Sequence, residues 1–158
     1  MKVLDAKTKA QVLTALCEGS SIRSITRMFG VGKNTVANLL VDAGFACARF
    51  QDQALRNLSC KNVQCDEIWA FVGAKDKNVP ADRKNEFGVG SVWTWTALDA
   101  DTKLMCNWMV GNRGADSAHE FMQDLAGRLA NRVQLTTDRR KAYLDAVDEA
   151  LVTISTMP

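Results

Sequence analysis

Two aspartates in this 158-residue chain lie in strand-like sequences, and their type and position point to metal chemistry. Asp66 lies inside an apolar run, 63–73, that has the composition of a buried β-strand. Asp138 directly follows a second such run, 133–137. A carboxylate within a buried strand is costly unless a positive charge compensates it. If the two strands are neighbours in one sheet, both carboxylates can share divalent cations, which prefer hard oxygen ligands.

Such a pair of carboxylates predicts a site for Mg²⁺ or Mn²⁺. Two such ions about 4 Å apart activate a water or hydroxyl nucleophile and stabilise the leaving oxygen at phosphorus. Alternation along the strand places Asp66 on one face and Glu67 on the other, so Glu67 is predicted to be structural. Apolar residues on both faces predict a strand that is covered on both sides. Asp138 also has an alternative role, because it can instead cap a helix that begins near Arg139.

Residues 1–45 predict three short helices, of which the second and third have the pattern of a helix-turn-helix motif. Asp5 is predicted to cap the first helix. The Gly-Val-Gly sequence at 30–32 makes a tight turn before a third helix, 33–42, which Gly44 is predicted to close.

The third helix of this motif is predicted to present polar side chains to a DNA major groove. Helices two and three are predicted to pack through Ile25, Met28, Val31, Val36 and Leu40. The predicted phosphate contacts are Arg23, Arg27 and Lys33, and the predicted base contacts are Asn34, Thr35 and Asn38. The alternative is a plain helical hairpin whose polar face is only solvated.

The distribution of charge and the absence of long apolar runs restrict the class of protein. Residues 1–62 contain nine Lys/Arg and four Asp/Glu, whereas 63–158 contain eleven and fourteen. A basic module on an acidic remainder favours a part that binds polyanions and a part that holds cations.

No run reaches the roughly 18 apolar residues that span a bilayer, and no signal sequence opens the chain, so we expect a cytoplasmic protein without membrane contact.

The order of elements after residue 62 predicts an α/β fold with a mixed sheet. Three strands at 63–73, 92–99 and 103–110 are followed by a helix that Ser117 is predicted to cap and that ends at about 131, a strand at 133–137, a helix at 141–150 and a last strand at 151–155. The first of these helices is predicted to face inward with Phe121, Met122, Leu125 and Leu129. This order predicts an antiparallel meander followed by parallel crossovers. The predicted domains are therefore a helical domain at 1–45, a linker at 46–62 and an α/β core at 63–158.

The cysteines and tryptophans have mainly structural interpretations. The five cysteines lack the spacing of a zinc site and are predicted to be reduced, small apolar residues. The tryptophans Trp69, Trp93, Trp95 and Trp108 are predicted to pack in the core or on the sheet. Stacking on DNA is the alternative role for these rings.

Taken together, these residues resemble transposases of the insertion-sequence-one family, which are bacterial DDE recombinases. The resemblance covers nearly the whole chain and rests on the helix-turn-helix pattern and on four segments, 65–73, 93–99, 136–138 and 141–144. It implies an RNase H-like core in which Asp66 and Asp138 are catalytic residues and ligands of Mg²⁺ or Mn²⁺. In this family a third acid, a glutamate, comes from a helix after the fifth strand.

That third acid has no match in this chain. The acids Asp145, Asp148 and Glu149 lie on the predicted helix before the fifth strand, so none of them is assigned to the role. We therefore expect an incomplete RNase H-like core, truncated before the third acidic residue.

The resemblance implies a DNA transposase of an insertion sequence. Such an enzyme binds the terminal inverted repeats of its element, cleaves double-stranded DNA and joins it to target DNA, acting as a homodimer at the bacterial nucleoid. The alternative is a truncated, inactive DNA-binding protein that represses transposition. A helix-turn-helix regulator with a small-molecule domain is a third possibility, for which Asp66 in the middle of a strand is a poor fit.

Overall fold

The computed structural model describes residues 4–84, 86, 88–137 and 146. The chain divides into two compact units, Met1–Ala54 and Leu55–Pro158, and each is described by itself. Within the described residues, none of the helices has the length and apolar character that a membrane span requires.

The first unit consists of three α-helices whose ends are set by capping residues. The helices are α1 (Ala6–Cys17), α2 (Ile22–Phe29) and α3 (Lys33–Ala54). As predicted, Asp5 caps α1, and its Oδ1 accepts a hydrogen bond from the Thr8 N–H at 2.7 Å. Ser21 caps α2 in the same way through the Ser24 N–H. Gly30 ends α2 in the left-handed conformation, with φ at 63°, which glycine adopts at little cost.

Helix α3 extends much further than the sequence predicts. Gly44 lies inside the helix, so the prediction that it closes α3 near residue 42 is wrong. Residues 46–54, for which the sequence predicts a linker, continue the same helix. The physical reason is that one interior glycine costs only about 1 kcal/mol, while the alanines and long side chains around it favour a helix.

The core of the first unit is small and lies where the three helices meet. Its buried residues are Val12, Ile25, Val31 and Val36, so the predicted packing of the last three is confirmed. The predicted packing of Met28 and Leu40 is wrong, because these side chains are 54% and 47% exposed. On α2 the buried face includes Ile22, Ile25 and Phe29, and Met28 lies outside it.

The second unit is built on a mixed four-stranded sheet. Its strands are β1 (Asn62–Val72), β2 (Gly90–Asp99), β3 (Met105–Gly111) and β4 (Gln134–Thr136), in the order β3-β2-β1-β4. Strands β1 to β3 pair as an antiparallel meander, and β4 pairs with β1 in parallel. The predicted α/β class with a mixed sheet is therefore confirmed.

Helix α4 (Ala115–Arg128) packs against a face of the sheet. It begins at Ala115 after an N-cap at Gly114, so the prediction that Ser117 caps it is wrong. Ser117 is buried and donates a hydrogen bond to Asn112 Oδ1 at 3.1 Å. The buried residues of this core are Cys60, Val63, Cys65, Trp95, Ala97, Cys106, Ala118, Phe121, Met122, Leu125 and Ala146. The predicted inward orientation of Phe121, Met122 and Leu125 is confirmed.

Candidate functional site

Asp66 lies near the middle of β1, which is flanked by β2 on one side and β4 on the other. It pairs with Thr96 of β2, whose hydroxyl donates a hydrogen bond to the Asp66 backbone carbonyl at 3.0 Å. The Asp66 Oδ1 accepts a hydrogen bond from the Glu67 N–H at 2.8 Å. A paired strand and not a loop therefore positions this carboxylate.

The face of the sheet that bears Asp66 is open to solvent. On β1 this face consists of Gln64, Asp66, Ile68, Ala70 and Val72, all of which are exposed. Ile68 is 60% exposed and Val72 49%, although both are apolar. The prediction that both sides of β1 are covered is therefore wrong, because alternation identifies two faces but not what packs on them. Asp66 is exposed to solvent, so its carboxylate needs no buried cation to compensate it.

Strand β4, which precedes Asp138 in the sequence, lies next to the strand that bears Asp66. Strand β4 pairs in parallel with the first residues of β1, and the last pair is Gln64 with Thr136. Asp138 itself, the second predicted metal ligand, lies outside the described residues. In the sequence, Asp66 and Asp138 each follow that last pair by two residues.

The described residues alone do not assemble a metal-binding cluster. Among them, no group of three or more His, Cys, Asp or Glu side chains is arranged to hold a metal ion. Asp66 is nevertheless a suitable ligand for Mg²⁺ or Mn²⁺, since its hard oxygen atoms lie on a rigid, exposed strand. It is the one predicted metal ligand that the described part of the chain contains.

Glu67 points to the opposite face from Asp66, as the alternation predicts. Its Oε2 accepts hydrogen bonds from Arg113 Nε at 3.1 Å and Nη2 at 3.0 Å. The Glu67 side chain is only 1% exposed, and the Arg113 guanidinium lies 4.0 Å from the centre of the Trp93 ring. This contact gives Glu67 a structural role in the face that α4 partly covers.

The predicted DNA-contacting residues lie on α2 and at the start of α3. Arg23, Arg27, Lys33, Asn34 and Asn38 are exposed, whereas Thr35 is half-buried. Asn34 and Asn38 lie four residues apart and therefore share one side of α3. These five exposed side chains are accessible to a ligand, and Thr35 is less accessible.

Sequence reasoning missed one group of exposed aromatic residues. Trp69, which the sequence predicts to be packed, is 43% exposed, and Phe71 beside it is 46% exposed. Trp95 is fully buried, so its predicted core position is confirmed, and Trp93 and Trp108 are half-buried. The alternation of Trp69 and Phe71, followed by Lys75, is the feature of the sequence that could have indicated this exposed group.

No protein-family model matches this sequence, and no curated protein is significantly similar to it. The resemblance to a transposase family therefore stays a prediction from the residues.

Proposed function

We propose that this protein is a DNA transposase of the insertion-sequence-one type, which cleaves and transfers DNA strands in a metal-dependent reaction. The proposal rests mainly on the parallel pairing of β1, which bears Asp66, with β4, which precedes Asp138 in the sequence. An exposed Asp66 on the central part of β1 supports it further. The strand order β3-β2-β1-β4 is compatible with an RNase H-like core.

The proposed site uses Asp66 and Asp138 as ligands of Mg²⁺ or Mn²⁺. A bound metal ion would supply Lewis-acid activation of the attacking oxygen and stabilisation of the leaving oxygen. The contribution of the chain is to hold the Asp66 carboxylate on a paired strand at a solvent-accessible face. Phosphodiester DNA is large, so an open face suits this substrate better than an enclosed pocket.

The helical unit is proposed to bind the ends of the element. Arg23, Arg27 and Lys33 would contact phosphates, and Asn34 and Asn38 would contact base edges. Their exposure on α2 and α3 supports this assignment. Thr35 would also contact a base edge, although its side chain is half-buried. Binding of two ends predicts a homodimer on double-stranded DNA.

The test is nicking of supercoiled DNA that carries the genomic sequence flanking the gene. We expect nicking with Mg²⁺ or Mn²⁺, none with EDTA, and loss of activity in Asp66→Asn and in Asp138→Asn. Asp82→Asn is the matched control, because Asp82 is an exposed aspartate in a short 3₁₀ segment, Ala81–Arg83. If Asp66→Asn nicks DNA as fast as the wild-type protein, the proposed active site is wrong.

A second candidate function is a DNA-binding repressor without nuclease activity. The observation that favours it is the exposed polar surface of α2 and α3. It predicts sequence-specific binding that weakens with salt, and no cleavage by the wild-type protein. Lys33→Ala should reduce the slope of log K against log salt concentration by about 1. Lys9→Ala, an exposed lysine on α1, is the matched control.

A further inference from the structure

Three aromatic side chains form a row on the sheet face opposite Asp66. Trp69 and Phe71 alternate along β1, with ring centres 5.8 Å apart. Trp93 of β2 is the direct cross-strand partner of Trp69. We call these three residues, Phe71, Trp69 and Trp93, the aromatic row. It continues the face on which Trp95 is fully buried, but Trp69 and Phe71 are 43% and 46% exposed.

Each ring of the aromatic row has a cation above it. The Lys75 Nζ lies 5.6 Å from the centre of the Trp69 ring and 5.8 Å from that of Phe71. Arg113 covers Trp93, but its charge is balanced by Glu67. Lys75 therefore adds positive charge to this exposed surface.

Further lysines lie next to the aromatic row. A depression of about 430 Å³ is lined by Asp76, Lys77, Val79, Lys84 and Val89. The Asp76 carboxylate accepts hydrogen bonds from the Ser91 N–H at 2.6 Å and from the Ser91 hydroxyl at 2.5 Å. Ser91 is the β2 partner of Phe71, so this depression adjoins the exposed rings. Two lysines and one hydrogen-bonded carboxylate give it a net positive charge.

The orientation of the Trp69 ring is fixed before any ligand binds. Its Nε1–H donates a hydrogen bond to Ser91 Oγ at 2.9 Å, and Ser91 in turn donates to Asp76. A ring held in this way loses little side-chain entropy when a flat group stacks on it. The two exposed rings are adjacent and form one contiguous apolar surface, a feature that can mark a binding site.

Aromatic rings on a strand, with cations beside them, match the chemistry of single-stranded nucleic acid. Bases stack on the rings, cations contact the phosphates, and neither contact depends on sequence. A protein partner would be expected to meet a more apolar surface with fewer lysines, since lysine is depleted at protein interfaces. The charge of this surface therefore favours a polyanion that also has flat, unstacked bases.

We propose that the aromatic row, together with Lys75, binds single-stranded DNA by stacking of bases on Trp69 and Phe71. This surface lies on the opposite side of the sheet from Asp66 and is separate from the proposed metal site. The choice of DNA over RNA rests on the proposed function, whereas the stacking surface rests on its own contacts.

The test is fluorescence anisotropy of a labelled twelve-nucleotide oligo(dT) with the whole chain at low salt. We expect Trp69→Ala and Phe71→Ala each to weaken binding about 5- to 150-fold, the range that stacking of one base contributes. Trp69→Phe should keep most of the affinity, because it keeps an aromatic ring without the Ser91 hydrogen bond. Lys75→Ala should lower the salt slope by about 0.7.

Matched controls come from the same unit. Ile68→Ala changes an exposed apolar residue of β1 on the opposite face, and Lys61→Ala changes an exposed lysine away from the aromatic row. Both should bind oligo(dT) like the wild-type protein. Circular dichroism of every variant should match the wild type, and the Phe71→Ala variant keeps the test decisive if Trp69→Ala fails to fold.

Three results would overturn the proposal. These are no binding of oligo(dT) at micromolar protein, equal binding by Trp69→Ala and Ile68→Ala, and tighter binding of oligo(U) than of oligo(dT). A separate result concerns only the proposed function: if Asp66→Asn leaves nicking unchanged while Trp69→Ala still weakens oligo(dT) binding, the active site is wrong and the stacking surface stands.

Discussion

Gln64 of β1 and Thr136 of β4 are paired across two parallel strands, at the last described step of that pairing. The pairing gives the first residues of β1 a neighbour on both sides, and Asp66, two residues further on, is paired with Thr96 of β2. Rigid strands hold metal ligands more accurately than loops do. The register of β1 and β4 is thus the structural basis of the proposed metal site.

Substitution of Asp66 should weaken binding of a divalent ion directly. We expect Asp66→Asn to lower the affinity for Mn²⁺ more than about tenfold, since loss of an outer-shell partner alone typically costs 10- to 100-fold. Electron paramagnetic resonance of free Mn²⁺ during a titration measures this affinity. Asp101→Asn, in the exposed turn after β2, should bind Mn²⁺ like the wild type. Equal affinities of the Asp66→Asn and Asp101→Asn variants would exclude Asp66 as a ligand.

Two residues of α2 should differ in their contribution to the stability of the helical unit. Ile25 is fully buried, whereas Met28 is 54% exposed. Ile25→Ala should lower the free energy of unfolding by about 2–5 kcal/mol, because it removes buried methylenes and leaves a cavity. Met28→Ala should change it by less than about 0.5 kcal/mol. Urea unfolding followed by circular dichroism distinguishes these values, and a larger loss in Met28→Ala would contradict the observed burial.

The sequence predicts the elements of this fold better than it predicts their surroundings. Apolar runs and turn residues predict the strand meander, and the observed sheet order agrees with it. They also predict a helix end at Gly44, which the favourable residues on both sides override. The local sequence pattern does not show what packs against either face of a strand. The exposure of Ile68 and Trp69 was therefore not predicted.

For the candidate site, too, the sequence predicts which residue matters but not what surrounds it. An acid in an apolar strand singles out Asp66 on sequence alone. The reason first given for its importance, the cost of a buried carboxylate, does not apply because Asp66 is exposed. The Arg113–Glu67 contact joins residues 46 positions apart in the chain and required the tertiary structure.

Two arginine–glutamate pairs should differ in their contribution to stability. Arg113→Ala removes two hydrogen bonds from the nearly buried carboxylate of Glu67 and should cost about 1–3 kcal/mol. Arg83→Ala breaks an exposed pair with Glu86 and should cost clearly less, because water screens this pair. Chemical unfolding monitored by tryptophan fluorescence measures both. Equal losses would show that the burial of Glu67 has no energetic consequence.

The cysteines should separate into two reactive and three protected thiols. Burial raises the pKa of Cys65 and of Cys106 to about 12 and also raises the pKa of Cys60. The thiolate is the reactive form, so these three should resist iodoacetamide at pH 8 in the folded protein. Cys17 and Cys47 are exposed and should react first. Mass spectrometry of partly alkylated protein identifies the sites, and early modification of Cys65 would contradict its buried position.

The Asp76–Ser91 contact predicts a specific dependence of stability on pH. Hydrogen bonds from the Ser91 hydroxyl and from the Ser91 N–H lower the pKa of Asp76 below its usual range. A group whose pKa is lower in the folded state stabilises the fold above its unfolded pKa, at about pH 4. That contribution is lost as the pH falls through the lower, folded-state pKa.

A titration of Asp76 in two variants tests the cause of this shift. Ser91→Ala removes the hydroxyl donor and keeps the backbone donor, so the pKa of Asp76 should rise towards its usual range without reaching it. NMR titration of the Asp76 carboxyl carbon measures this pKa, and Thr102→Ala, which alters a donor to Asp99 instead, is the control. Because Ser91 also accepts the Trp69 Nε1–H, the indole proton resonance should shift in Ser91→Ala and stay unchanged in Thr102→Ala. An Asp76 pKa that is the same in all three proteins would show that the Ser91 hydroxyl does not stabilise the carboxylate.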